Sequence, residues 1–130
     1  MKKAVKAILA SLMVSVILIM CIGCGSTNAD AKGVAIAKKA IEIADDYLDM
    51  NISYSEAADE LDELYDELGE YYDSMETSSA KTADLIIHID IGSLKYSITM
   101  DGINSTSETY EDVISDRNEL ASDIGAKKRK

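Results

Sequence analysis

The chain has 130 residues, with 24 acidic side chains against 13 lysines and arginines and a net charge of −11. All 24 acidic residues follow residue 24, where ten basic residues remain and the balance is −14. Such a surface repels phosphate backbones, which excludes nucleic acid as a partner. Within residues 1–6 stand Lys2, Lys3 and Lys6, and residues 7–23 hold no charge. A basic start before an apolar run is the layout of a secretory signal peptide. As a helix the 17 uncharged residues would span about 26 Å, slightly less than a ~30 Å hydrocarbon core, so an uncleaved anchor is the alternative. In both cases the lysines stay on the cytoplasmic side and the rest of the chain is delivered outward.

The apolar run ends in CIGCG, which holds the only two cysteines, Cys21 and Cys24. A C-x-x-C pair in a redox or zinc site needs partners. Here there is no second pair, and the single histidine lies far along the chain. The order Cys21, Ile22, Gly23, Cys24 resembles the lipobox of bacterial lipoproteins: an apolar position, a tolerant one, a small residue and the modified cysteine. Cys21 stands where leucine is usual. The resemblance implies that residues 1–23 are removed by signal peptidase II and that Cys24 carries a diacylglyceryl group on sulfur. Cys24 then tethers the chain to the outer face of the cell membrane. Two acyl chains hold a protein where one would not. The 107 residues from Cys24 onward contain no other thiol, so packing alone must hold a single small domain. The chain is also similar to small Gram-positive surface lipoproteins, in which the stretch near residue 90 is expected to be helical.

Residues 24–32 follow as the lipidated cysteine and a flexible, small-residue linker. A helical domain is predicted over 33–125. Val34, Ala37, Ile41, Ala44 and Leu48 recur at 3 and 4, one apolar stripe on a helix over 33–50, with Asn51 suited to the left-handed conformation at its end. Ser53 and Glu56 then read as a capping box. Ala57, Leu61, Leu64, Leu68, Tyr71 and Met75 continue the period over 54–76. Two helices joined by so few residues form an antiparallel αα-hairpin. Asp49, Asn51, Ser53 and Glu60 also fall at positions 1, 3, 5 and 12 of an EF-hand-like loop. Tyr54 occupies the position that needs glycine, and capping uses the same residues without a misfit. No metal site is therefore assigned.

Residues 84–100 allow two readings. Leu85, Ile87, Ile89 and Ile91, then Leu94, Tyr96, Ile98 and Met100, alternate around Gly92-Ser93, as in a β-hairpin broken only by Ile86. As a helix, Ala83, Ile87, Ile91, Leu94 and Ile98 form one stripe and Leu85, Ile89, Tyr96 and Met100 a second, which suits a central place in a bundle. The helix is favoured and the β-hairpin kept as the alternative. His88, alone among isoleucines, reads as a solvent-side or satisfied polar residue. A C-terminal helix is predicted over 110–124, capped by Thr109, with Tyr110, Val113, Arg117, Leu120 and Ile124 on its stripe and Gly125 as its stop. Arg117 would pair with an acidic neighbour. Residues 126–130 read as a disordered basic tail, neutralised by the protein's own carboxylates or by solvent.

The fold class is thus mainly α, a small antiparallel helical bundle. Nothing in the sequence supplies a nucleophile with a base, a phosphate loop or a cofactor motif, so no enzyme, no catalytic residue and no cofactor are assigned. Fourteen carboxylates without a base between Glu42 and Glu76 read as a solvated face. Tyrosine suits half-wet interfaces, and Tyr65, Tyr71 and Tyr72 are the candidate interaction face. The function expected is a membrane-anchored protein-interaction module of the cell envelope, with another envelope protein as partner. A small-ligand or cation-binding lipoprotein is the alternative. The anchor has a direct check: Cys24→Ala should abolish incorporation of labelled palmitate and processing of the precursor, whereas Cys21→Leu should leave both intact.

Overall fold

The computed structural model describes residues 29–130; the proposed signal peptide, with Cys21, Ile22, Gly23 and Cys24, lies outside them. Four helices and no strand occur among the described residues: α1 Ala31–Leu48, α2 Tyr54–Ser74, α3 Ser79–Asn104 and α4 Ser107–Asp123. No helix among the described residues is long and apolar enough to cross a membrane.

Each start is fixed by a side chain that accepts from otherwise unpaired amide groups. Asp30 caps α1, its Oδ1 accepting from the Lys32 and Gly33 amides at 2.9 Å each. The helix therefore begins inside the stretch expected to be linker. Ser53 and Glu56 form the capping box of α2 as predicted. The cap of α4 is Thr106 rather than Thr109. Ser105, left-handed at φ 49°, ends α3 and leaves only a two-residue connection. Thr109, three residues inside α4, bonds back to the cap and donates to Asp101 Oδ1 at 2.7 Å.

The ends follow the same logic. Beyond α4, Gly125 has φ 67°, and the amides of Gly125 and Ala126 donate to the carbonyls of Ser122 and Ala121. This is the Schellman arrangement that favours glycine. Beyond α1 the same pattern recurs, Met50 donating to Tyr47 and Asn51 to Asp46. Here the left-handed residue is Met50, at φ 60°, and not Asn51.

Residues 84–100 are helical throughout, within α3. Ile87, Ile91, Leu94 and Ile98 are fully enclosed. An isolated two-stranded ribbon would leave edge amides unpaired and is marginal on its own, whereas a helix satisfies its own backbone and finds three neighbours. The second stripe does not lie in the interior as a central helix would require: Ile89 and Tyr96 face solvent.

Neighbours in sequence run antiparallel. Gly69 lies against His88 and Gly102 against Tyr54, which sets α2 beside α3. Ser97 bonds Asp116 and Asp101 bonds Thr109, which sets α4 on the other side. The helices α1 and α3 run parallel, since Gly33 meets Asp84 at one end and the Tyr47 hydroxyl donates to Asp101 at the other, at 2.7 Å. In cross-section the bundle is a flattened rhombus in which α1 and α3 touch across the short diagonal while α2 and α4 barely meet. The reason is size. Its core side offers Gly33, Ala37, Ala40 and Ala44, all buried, and small side chains let helix axes approach. The core also takes Leu61, Leu64 and Leu68 from α2 and Val113 and Leu120 from α4.

Of the four buried polar side chains among the described residues, Ser97, Asp101 and Arg117 have partners and one is the exception. Arg117, almost fully buried, donates from Nε and Nη2 to the two oxygens of Asp45 at 3.0 and 2.8 Å. Its Nη1 donates to the Lys127 carbonyl at 2.7 Å. The C-terminal tail is ordered by this fork and by Arg129, which reaches Asp45 and Asp49. Its order corrects the expectation of disorder, and Arg129 neutralises the protein's own carboxylates, one of the two outcomes expected for the tail. The exception is Asp84, which is 0% exposed and has no hydrogen-bond partner for either oxygen. It stands so close to Gly33 that a Cβ there would lie 2.0 Å from Oδ1. Burial first, and then the nearby Asp30 carboxylate, push its carboxyl up to about 6, opposed only by the Asp30 backbone amide, which lies nearby without meeting hydrogen-bond geometry.

The end of α1 offers a stability test. Met50 is 90% exposed, so its side chain contributes little packing, while a left-handed L-residue costs on the order of 1 kcal/mol. Met50→Gly should raise stability by about 0.5 kcal/mol, the gain being reduced by the greater freedom of glycine in the unfolded chain. Chemical denaturation of both proteins checks it.

Candidate interaction face

The three tyrosines singled out on α2 do not form one free surface. The Tyr71 hydroxyl donates to the Asp30 carboxylate, and Lys32 Nζ sits 4.6 Å from the centre of its ring. Lys81 Nζ lies 4.5 Å above the Tyr72 ring. Both rings therefore close contacts between helix ends. Tyr65 stacks on His88, ring centres 3.8 Å apart, and lies over Gly92, where a Cβ would come within 3.1 Å of it. His88 is neither solvent-side nor satisfied: it is half-buried, and its Nε2 is enclosed with no hydrogen-bond partner.

A larger uncovered surface lies on α3. Ile86, Ile89, Ser93, Tyr96, Met100 and Ile103 recur at 3, 4, 3, 4 and 3, one line along the helix. Ile86 is 47% exposed, Ile89 56%, Tyr96 66% and Ile103 65%. These four are the majority of the seven large hydrophobic side chains exposed among the described residues, so the exposure is concentrated and not scattered. On the α2 side Leu85, Gly92 and Thr99 flank the line at helical spacing and are uncharged as well, while Asp90 flanks it on the α4 side. A helix apolar on both faces belongs inside a protein or against a partner. In contrast, Lys32, Glu42 and Asp46 stand exposed on α1.

Midway along the line the surface dips. Gly92 and Ser93 floor an open depression of about 500 Å³, walled by Ile89, Tyr96 and Tyr65, with Asp116 on the α4 side. A second depression, of about 380 Å³, continues past Tyr96 toward α2, bounded by Asp62, Lys95 and Thr99. Notches of this shape accept side chains from a docking element, and both are too open to enclose most of a small molecule's surface. Among the described residues, no group of His, Asp and Glu side chains is placed to hold a metal ion.

Both rims are acidic. On the α4 side, Asp90 lies close to Asp123, Glu119 and Asp116. Burial, the shared hydrogen bond with Asp123 and the repulsion of these carboxylates push Asp90 up to about 7. Asp116 accepts from the Ser97 hydroxyl at 2.6 Å. On the α2 side, Asp62 pairs with Lys95, and Asp66 and Glu70 border the hollow beside Tyr65 and His88. The sequence reading grouped Leu85, Ile89, Tyr96 and Met100 and missed Ile86 and Ile103. The signal was present in Ile86, the residue that breaks the strand alternation: it fits a helical line with Ile89 and Ser93.

No protein-family model, curated protein or solved structure matches the chain.

The rim chemistry sets a pH dependence. Asp90 and Asp84 bind their protons more tightly in the folded state than in the unfolded chain, where a carboxyl titrates near ~3.9. The stabilisation is complete below that value and is lost as pH rises toward about 7 for Asp90 and about 6 for Asp84. The opposite case is Asp30: although burial raises it, hydrogen bonds from Tyr71, Gly33 and Lys32 hold it low, so its contribution falls away only in stronger acid. The domain should therefore be more stable at pH 5 than at pH 8, by on the order of 2 kcal/mol. Asp90→Asn should remove much of the difference by raising stability at pH 8. Denaturant titrations of both proteins at the two pH values check this.

Proposed function

We propose that the chain is a lipid-anchored module of the cell envelope that binds another protein through the outer face of α3. The single observation that carries this reading is the line from Ile86 to Ile103: apolar, uncharged and exposed on a domain whose balance is −14. Net charge of that size favours a solvated surface, so an uncharged stripe along a whole helix is a departure that a partner explains. The anchor is supported by the resemblance of Cys21, Ile22, Gly23 and Cys24 to a lipobox. Few residues separate Cys24 from the Asp30 cap, which places the domain near the membrane that Cys24 would occupy. Binding a small ligand is less well supported, because both depressions lie open along the stripe rather than enclosing a volume, although Ser93, Ser97 and Asp116 line the first and Asp62, Lys95 and Thr99 the second.

The test uses the full lipidated chain in its own membranes, with p-benzoyl-phenylalanine introduced at Tyr96, at Ile89, or at Glu60 on the exposed side of α2. Irradiation should give a discrete protein adduct from positions 96 and 89 and none from position 60. Equal adducts from all three positions, or none from 96 and 89, would overturn the reading.

A further inference from the structure

The rims of the α3 face indicate what would lie on it. Resting on the interface reading above, we propose that the occupant is an amphipathic helix of another protein, with an apolar stripe flanked on both sides by lysine or arginine.

Length argues for a helix. From Ile86 to Ile103 the line extends about 26 Å, close to five turns. Its 3-4 spacing is the seam that a second helix packs against, with side chains entering the holes between four residues. The dip at Gly92 and Ser93 beside Tyr96 offers such a hole for a large aliphatic or aromatic side chain.

Charge argues for the flanks. Along the α4 rim stand Asp90, Asp116, Glu119 and Asp123, four carboxylates close together. Asp62, Asp66 and Glu70 stand on the α2 side, where Lys95 pairs with Asp62. A helix whose apolar stripe fills the seam brings its flanking positions over these two rows. Basic side chains there gain charge-assisted pairs, and acidic ones are repelled.

The same geometry disfavours the other occupants. A second copy of this chain, pairing α3 with α3, would set acidic rim against acidic rim whether the helices ran parallel or antiparallel, between domains that each carry −14. An anionic lipid surface meets the same repulsion.

Two synthetic helical peptides decide between these, identical in their leucine and isoleucine stripe at 3-4 spacing and differing only in lysine or glutamate at the flanking positions. Each is titrated against the full lipidated chain in neutral nanodiscs. The lysine peptide should bind at least tenfold more tightly than the glutamate peptide in low salt, and the gap should narrow in 0.5 M sodium chloride as screening takes hold (Debye length ~3 Å at 1 M). Ile89→Asp, at a position already exposed, should weaken the lysine peptide at least tenfold while circular dichroism stays unchanged. Tyr96→Asp should repeat the loss. Equal binding of both peptides, abolished by Ile89→Asp, would overturn the basic partner and keep the face as an interface. Lysine-peptide binding indifferent to both substitutions would overturn the face itself. Failure of both peptides to bind overturns this inference, and the adducts at positions 96 and 89 then decide the interface reading independently. Sedimentation equilibrium adds the last arm: a dimer that disappears in Ile89→Asp would assign the face to a second copy instead.

Discussion

The close contact between α1 and α3 decides the shape of this molecule. With Gly33, Ala37, Ala40 and Ala44 on its inner side, α1 lies close against α3, and the leucines of α2 with Val113 and Leu120 of α4 complete the core on either side. Larger residues at those positions would hold the two helices apart and let α2 and α4 close around a square core, the arrangement of an ordinary four-helix bundle. The flattened rhombus instead leaves α2 and α4 separated on either side of α3. The outer stripe of α3 is then bare because no element of the described chain is left to cover it.

Polar contacts hold the rhombus from its ends. Asp101 receives the Tyr47 hydroxyl from α1 and the Thr109 hydroxyl from α4, joining three helices at one carboxylate. Burial, then the bond to Asp101, raises the Tyr47 phenol, so the hydroxyl remains a donor over the working range. Arg117 binds Asp45 through two parallel bonds and also holds the tail. Removing one partner of such a buried pair leaves the other charge uncompensated, which costs more than the pair contributes when whole. At the opposite end Asp84 has no such arrangement. Burial first, and then the Asp30 carboxylate, raise its carboxyl to about 6, so Asp84 stabilises this end in mild acid and weakens it once ionised.

Much of this was legible in the residues. The stripes of α1 and α2 and the Ser53–Glu56 capping box follow from spacing alone, because each requires only local geometry. The helix over 84–100 was harder: an isoleucine-rich segment satisfies periods of 2 and 3.6 together, and only the presence of three neighbours settles the choice. The cap at Asp30 was hidden in a stretch whose composition reads as linker. Thr109 looks like a cap in isolation because the left-handed turn at Ser105, which starts α4 three residues earlier, depends on how α3 ends. The open face was least legible. Periodicity shows that α3 has two apolar sides, but which is covered depends on how near α1 approaches, and that is a property of the alanines on another helix.

The direction of the face relative to the membrane follows from the same parallel pairing. If Cys24 is acylated as proposed, the six residues to Asp30 reach at most about 20 Å when fully extended, and the α1 N-terminus would stay near the bilayer. Asp84, on the first turns of α3, abuts Gly33 at that end, and the two helices run the same way. On the proposed anchoring, the Ile86 end of the stripe would be proximal and the Ile103 end distal. An anchored domain meets membrane-bound partners at a raised effective concentration, so a weak helix-on-helix contact suffices there that would not persist between freely diffusing proteins. The segment that satisfies these conditions is itself close to the membrane, within reach of the linker and one helix length.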